Sequence, residues 1–190
     1  MVIRNVLGTA LFTALIIVGS FIVIPVGIVP ITLQTLFVLL AGTLSGKKIA
    51  LSATSLYIVL GVVGLPVFSG ATGGLAHFFG PTGGFLIGLM VMGVISGTFS
   101  DIAYARQSKK DSIDKTGLMI IIAGLCIATI AVYIVGIPFL KFNLDITWVK
   151  ALTLGAIPFI PGDILKIVVV ALLTNIFFTK IRGYFSNSEE

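Results

Sequence analysis

The chain has 190 residues, 57% hydrophobic and only 10% charged, with a mean hydropathy of +1.19. Soluble domains carry about 25% charged residues, so this composition excludes an ordinary water-soluble globule. The formal net charge of +5 raises nucleic acid as a partner, an option that the placement of the basic residues removes.

Six apolar segments follow in chain order: Val6–Ile24, Ile31–Gly46, Ile49–Leu65, Gly83–Ser100, Gly117–Ile137 and Ile164–Phe178. Val6–Ile24 and Gly117–Ile137 hold no charged residue over 19 and 21 positions, and a helix needs about 20 residues to cross the hydrocarbon layer. The shorter segments gain a turn from their flanking loops. Lipid offers the backbone no hydrogen-bond partner, so the spans are helices; a barrel would show short alternating strands instead. The first segment lacks a short h-region and an A-x-A-like cleavage site, and reads as a retained span. Pro25 and Pro30 bracket the first connection, Pro66 and Pro81 the third, and Pro138, Pro158 and Pro161 punctuate the fifth; proline favours helix starts and disfavours interiors. Ala151–Ile160 is too short to cross and is expected to cap the fifth connection as a half-helix. The expectation is an all-α integral membrane protein, a single six-helix transmembrane domain over 1–190.

Lysine and arginine set the orientation. With the N-terminus inside, Arg4, Lys47, Lys48, Arg106, Lys109, Lys110, Lys115, Lys180 and Arg182 fall on the inner side, nine of the twelve basic residues, and Lys141, Lys150 and Lys166 on the outer. This predicts a multi-pass protein with both termini cytoplasmic, and it accounts for the basic charge without nucleic acid. The outer connections Pro25–Thr35, Pro66–Gly84 and Pro138–Gly162 are rich in Gly, Thr, Pro and aromatics. Such loops can fold over a pocket.

The most informative local feature is Pro161-Gly162-Asp163-Ile164-Leu165-Lys166, which sets an acid and a base at i and i+3 on one helix face. Ionisable groups at the edge of an apolar layer are functional candidates; the alternative is a plain salt bridge, with Asp163 favoured by the helix N-terminus. Asp163 can accept two N–H bonds, as from a cyclic urea, and Lys166 can neutralise a carboxylate. Phe68, Phe78, Phe79 or Phe159 can enclose a hydrocarbon chain between the two. The ligand so described is a small amphipathic acid with a polar ring.

Other motifs divide between site and structure. The glycines of 65–74 and 80–84 suit either a flexible lid or tight turns; no phosphate-binding G-x-x-x-x-G-K-[ST] is present. Thr32, Gln34 and Thr35 either face the pocket or cap the second helix. Gly84, Gly88, Gly93 and Gly97 read as helix-packing positions. Ala10 and Ala14 form a small-xxx-small pair for internal packing or an intersubunit contact. His77, the only histidine, cannot assemble a zinc site and reads as a loop or lid residue. Cys126 reads as a small packing residue, and Asp101 as solvated. No metal and no cofactor are expected. A membrane-embedded enzyme would need converging nucleophiles, bases or metal ligands, and only Asp163, Lys166 and His77 are on offer.

Taken together, these motifs resemble the BioY family, the biotin-specific substrate-binding (S) subunits of energy-coupling-factor (ECF) transporters. The resemblance is carried by Val29 through Gly42 (V-P-I-T-L-Q-T-L-F-V-L-L-A-G), Gly61 through Phe68, Gly73-Gly74, Gly80 through Gly84, and Pro158 through Lys166. It covers nearly the whole chain. Phe85 stands where many relatives have tyrosine, and Lys47-Lys48 replaces a Pro-Arg or similar pair. The resemblance implies a six-helix S component of the prokaryotic plasma membrane, not an enzyme, that captures biotin at the outer face. Import would then be ATP-driven through a transmembrane coupling subunit and a pair of ATP-binding cassette ATPases. An S component for a different small vitamin is the alternative. The resemblance implies that Asp163 and Lys166 contact the ligand, that Ile28–Thr35 and Pro66–Gly84 close over it, and that Ala10 and Ala14 dock on the coupling subunit. The candidate ligand contacts are thus Asp163, Lys166, Gln34, Thr35, Phe68, Thr72, Gly73, Gly74 and Thr82.

Overall fold

The computed structural model describes residues 2–25, 27–106 and 113–186. Lys109 and Lys110, counted above on the inner side, lie outside the described residues. The elements in chain order are α1 (Val2–Phe21), β1 (Val23–Ile24), β2 (Ile31–Thr32), α2 (Gln34–Ser45), α3 (Lys47–Val62), α4 (Leu75–Phe78), α5 (Gly83–Arg106), α6 (Lys115–Leu144), α7 (Trp148–Gly155), a 3-10 turn (Ile157–Phe159) and α8 (Ile160–Ser186). The fold is a helical bundle with one minute hairpin. β1 and β2 pair antiparallel, Val23 opposite Thr32 and Ile24 opposite Ile31.

Among the described residues, four stretches are long and apolar enough to cross a bilayer: Ile3–Phe21, Gly83–Arg106, Lys115–Leu144 and Trp148–Phe178. α2 and α3 are shorter, with 12 and 16 residues, or about 18 and 24 Å at 1.5 Å per residue. They form a helical hairpin turned at Gly46, which closes α2 and opens α3 with φ +86° and donates its N–H to the Gly42 carbonyl at 2.9 Å. Only glycine adopts that backbone readily. A side chain there would also run into the Arg182 guanidinium.

α2 sits at the centre of the bundle, against α1, α3, α5 and α8, while α5 lies along α6. Small residues permit these approaches: a Cβ on Gly88 would stand 3.1 Å from the Val132 Cα, and one on Gly93 3.4 Å from the Ala50 Cβ. The buried core runs through Ile16, Val38, Leu39, Tyr57, Phe68, Met92, Leu125, Val170 and Phe178. Some polar groups inside it are satisfied one turn back, as Thr54 and Thr129 are, and others between helices, as where Ser100 donates to the Thr43 carbonyl. The outer surface is rich in large apolar side chains: Leu11, Val18, Met119, Ile130, Ile134, Ile164, Leu165, Leu172 and Ile176 are exposed. A bundle with greasy residues on both sides is made for lipid.

Three expectations are corrected. Pro138 does not end the fifth long helix; it lies inside α6, which continues to Leu144. Proline removes one N–H but keeps helical φ, and α6 stops instead at Asp145, held at φ +49°. Cys126 is exposed rather than packed inside. Asp101 is not simply solvated: it lies within α5, ion-paired to Arg182 and, at 4.0 Å, to Lys47. The Ala151–Ile160 segment supplies most of α7 and the 3-10 turn, and α7 packs against α6.

Candidate functional site

A cavity of about 560 Å³ opens where β1–β2, the α3–α5 connection and the start of α8 meet. That size suits a small organic ligand. Its floor and walls are apolar, with Leu86, Leu89 and Met92 from α5, Val132 from α6, and Phe85 and Phe159. Gly27 to Pro30 of the hairpin, with Ser69, Gly70, His77, Pro81 and Thr82, make the loop side.

One polar cluster is built into the helical wall. Asp163, in the first turn of α8, and Lys166 are 8% and 7% exposed and stand 3.5 Å apart. The positive end of α8 supports the carboxylate. Tyr133 of α6 donates its phenol to Asp163 Oδ2, and Lys166 Nζ donates to Thr35 Oγ1 at 2.8 Å. Beside them, Thr32 donates to Gln34 Oε1 at 3.0 Å, and Gln34 Nε2 donates to the Tyr57 hydroxyl at 2.5 Å. A carboxylate offers about four lone-pair sites and an ammonium three protons. Tyr133 and Lys166 take two of the former, Asp163 and Thr35 two of the latter. Acceptor capacity on Asp163 and one proton on Lys166 are left for the cavity.

This geometry corrects one detail. At 3.5 Å the two charges cannot hold opposite ends of a ligand with a hydrocarbon chain between them. They act together on one end. A pair that is neutral overall, offering acceptors and a donor side by side, suits a neutral group with the same alternation. A carboxylate placed there would meet Asp163, and like charges about 4 Å apart repel by roughly 4 kcal/mol at an effective dielectric of 20.

A second polar cluster lies on the loop side. The His77 ring stacks on Phe68 at 5.2 Å; Nδ1 is 3.1 Å from Thr72 Oγ1, and Nε2 is 3.4 Å from Thr82 Oγ1. Since the Thr72 hydroxyl donates to the Ser69 carbonyl at 2.9 Å, it accepts from His77. The histidine therefore carries its proton on Nδ1 and accepts at Nε2 from Thr82. Burial lowers its pKa from the ordinary 6.5, so it is neutral at pH 7. Ser69 Oγ is buried and without a partner among the described residues.

Of the sequence-derived candidates, Asp163, Lys166, Gln34, Thr35 and Thr82 line the cavity. Phe68, Thr72, Gly73 and Gly74 do not; they stand behind its wall. Phe68 is fully buried against Tyr57 and Gly61, Thr72 holds His77, and Gly74 donates its N–H to the Gly61 carbonyl at 2.7 Å. Among the four phenylalanines considered as ligand enclosure, Phe159 alone is on the wall. His77 lines the cavity, beyond the loop role read from sequence. Tyr133 was missed; its contact with Asp163 spans 30 residues and leaves no local signal in the sequence. Ala10 and Ala14 are exposed on α1, while Phe12 and Ile16 face the core.

A ligand-sized, mostly apolar cavity with two polar clusters, set in a lipid-facing helical bundle, defines a membrane-embedded binding protein. A sequence model of the BioY family matches residues 1–182. The chain belongs to the BioY family. The biotin transporter BioY of Thermotoga maritima is 39% identical over 171 residues, covering 90% of this chain and 93% of its own. BioY2 of Lactococcus lactis, also named a biotin transporter, is 39% identical over 163 residues, 86% of this chain and 84% of its own. A crystal structure of the S-component for biotin from an ECF-type ABC transporter superposes with a TM-score of 0.81 at 30% identity, covering 96% of each chain. The fold is that of an S component. The family is one of transport subunits and not of enzymes.

Proposed function

We infer that this chain is the biotin-binding subunit of an ECF-type vitamin-uptake transporter, and that it performs no covalent chemistry. The observation that carries this reading is the neutral Asp163–Lys166 pair inside the cavity. The cyclic urea of biotin presents two N–H donors around a carbonyl. Asp163 accepts from the N–H edge, and the remaining Lys166 proton meets the carbonyl. The hydrocarbon chain lies along Leu86, Leu89, Val132 and Phe159, and the carboxylate reaches the loop side, where the Ser69 hydroxyl, buried and without a partner among the described residues, offers a donor. Phe68, Thr72, Gly73 and Gly74 support the loop and are not direct contacts in this reading.

The helices α1, α2, α3, α5, α6 and α8 are proposed to form one transmembrane domain with both termini cytoplasmic. Arg4, Lys47, Lys48, Arg106, Lys115, Lys180 and Arg182 lie at helix ends opposite the cavity, as the positive-inside rule requires of the cytoplasmic side. The cavity then faces outward. A transmembrane coupling subunit and a pair of ATP-binding cassette ATPases supply the energy, and the exposed Ala10–Ala14 face of α1 is the docking surface. Isothermal titration of the purified protein with biotin, desthiobiotin and a carboxylate-blocked biotin tests the reading. Biotin is expected to bind below about 1 μM, or roughly −8 kcal/mol; absence of binding at that level overturns it.

A further inference from the structure

The short helix α7 links the end of α6 to the 3-10 turn and the start of α8, at the cavity end of the bundle. At about 100° per residue, its eight residues fall into three sectors. Ala151 and Gly155 are buried, Leu154 packs with Leu140 and Phe159, and a Cβ on Gly155 would stand 2.9 Å from a Leu140 methyl. That sector faces the bundle. The next carries Trp148, Val149 and Leu152, all exposed, with Val149 at 75%. The third carries Lys150 and Thr153, also exposed. A helix submerged in lipid has no use for the third sector, and a helix standing in water has none for the second. One lying in the plane of a membrane interface uses all three.

The helices on either side point to the same level. On α6, Ile130, Ile134 and Phe142 stand at i, i+4 and i+12 and are exposed, so one apolar stripe runs along that helix up to Phe142. On α8, the exposed Ile160, Ile164, Val168 and Leu172 recur at every fourth position, so a second stripe begins at Ile160. α7 joins the ends of these two stripes. At the junction Lys141 Nζ lies 4.5 Å from the Phe142 ring centre and 5.2 Å from that of Trp148, and the two rings meet edge to face at 6.2 Å. An ammonium held among exposed aromatic rings suits the headgroup level, where rings and lysine stems lie in apolar surroundings and their polar ends reach water.

We propose that α7 is an interfacial anchor: the Trp148, Val149 and Leu152 sector enters the headgroup–acyl boundary on the cavity side of the bilayer and so fixes the wall of the cavity. The occupant is lipid, rather than a protein partner or a second copy, because this sector continues the apolar stripes of α6 and α8. Only Ala156, Ile157 and Pro158 separate Gly155 from Phe159, which lines the cavity, so a shift of α7 is carried to that wall. The anchor does not depend on which ligand the cavity holds; its effect on affinity rests on the biotin reading.

Trp148 is the only tryptophan of the chain, so its fluorescence reports on α7 alone. The full chain is reconstituted into phosphatidylcholine vesicles whose acyl chains are brominated either near the headgroup or near the terminal methyl. An interfacial helix is sunk about 5–10 Å, and the shallow bromines are expected to quench Trp148 roughly twofold more than the deep ones. Absence of quenching by either lipid, which would put Trp148 in water or against protein, overturns the proposal, as does stronger quenching by the deep bromines. Val149→Asp places a charge in the apolar sector and Thr153→Asp places one in the polar sector. An acid in the first turn suits a helix N-terminus, so Val149→Asp does not act by unwinding α7. It is expected to halve the shallow quenching and to weaken biotin at least threefold, whereas Thr153→Asp leaves both unchanged. Equal effects of the two variants, or undiminished quenching in Val149→Asp, overturn the assignment of the face. Unchanged biotin affinity in a Val149→Asp protein whose Trp148 has left the lipid overturns the link to the cavity wall. The depth of Trp148 in the unaltered protein is read without ligand, so a failure of the anchor is distinguishable from a failure of the biotin reading.

Discussion

Replacing Lys166 by alanine tests the arrangement of the ligand in the cavity as well as its affinity. Lys166 Nζ stands 2.8 Å from Thr35 and 3.5 Å from Asp163, at 7% exposure. Its removal strips Asp163 of its only cationic partner among the described residues and takes a donor from the ligand. Truncating one member of a buried, hydrogen-bonded charge pair at a binding site costs about 2–5 kcal/mol, which is roughly a 30- to 4,000-fold loss of affinity. The informative measurement is a cycle, in which Lys166→Ala and the unaltered protein are each titrated calorimetrically with biotin and with biotin amide, whose tail is neutral. If the Asp163–Lys166 pair holds the urea, the variant loses affinity for both ligands by the same factor, and their ratio stays constant within about threefold. If Lys166 instead holds the carboxylate, the preference for biotin over its amide disappears in the variant. That second result would refute the argument from the neutrality of the pair.

Tyr133→Phe removes one donor to Asp163 and is expected to weaken biotin by about ten- to a hundredfold, the worth of a hydrogen bond to a charged group, about 1.5–3 kcal/mol; calorimetry reads it directly. His77 has a pKa below its unfolded value of 6.5, so below that pH the unfolded chain binds the extra proton more readily. The stability of the ligand-free protein should fall as pH drops through and below about 6.5. A His77→Gln variant should flatten the curve of unfolding midpoint against pH, and an unchanged slope would contradict the assignment. Bulky substitution of the exposed pair, Ala10→Trp with Ala14→Trp, should leave biotin affinity within about twofold and abolish co-purification with the coupling subunit; retained co-purification would remove α1 as the docking face.

The features legible in the sequence were those with a short-range or compositional cause. Apolar runs announced a lipid-facing bundle, and the i,i+3 spacing of Asp163 and Lys166 announced that both groups share one helix face. What could not be read depends on contacts between distant segments. Tyr133 meets Asp163 across 30 residues, and nothing within α6 marks its phenol as a site group. The strands β1 and β2 have two residues each, too few for any alternation to register. Phe68, Thr72, Gly73 and Gly74 sit in the loop that borders the cavity, yet the turn bridging Phe68 to Thr72 folds them behind it. Asp101 looked solvated because its partner Arg182 lies 81 residues away, on a helix whose inner end no local pattern locates.

The brevity of α2 has a consequence for where recognition occurs. Twelve residues rise about 18 Å from the Gly46 corner, whereas the hydrocarbon layer is about 30 Å thick. With the Gly46 corner placed at one boundary, Gln34 and Thr35 at the top of α2 would be sunk roughly a dozen ångströms below the far one, in a well that the neighbouring longer helices enclose. A vitamin must leave bulk water and descend into that well before it meets its partners. Adding one helical turn at the Gln34 end would raise these groups by about 5 Å and fill the recess in which the guest is held.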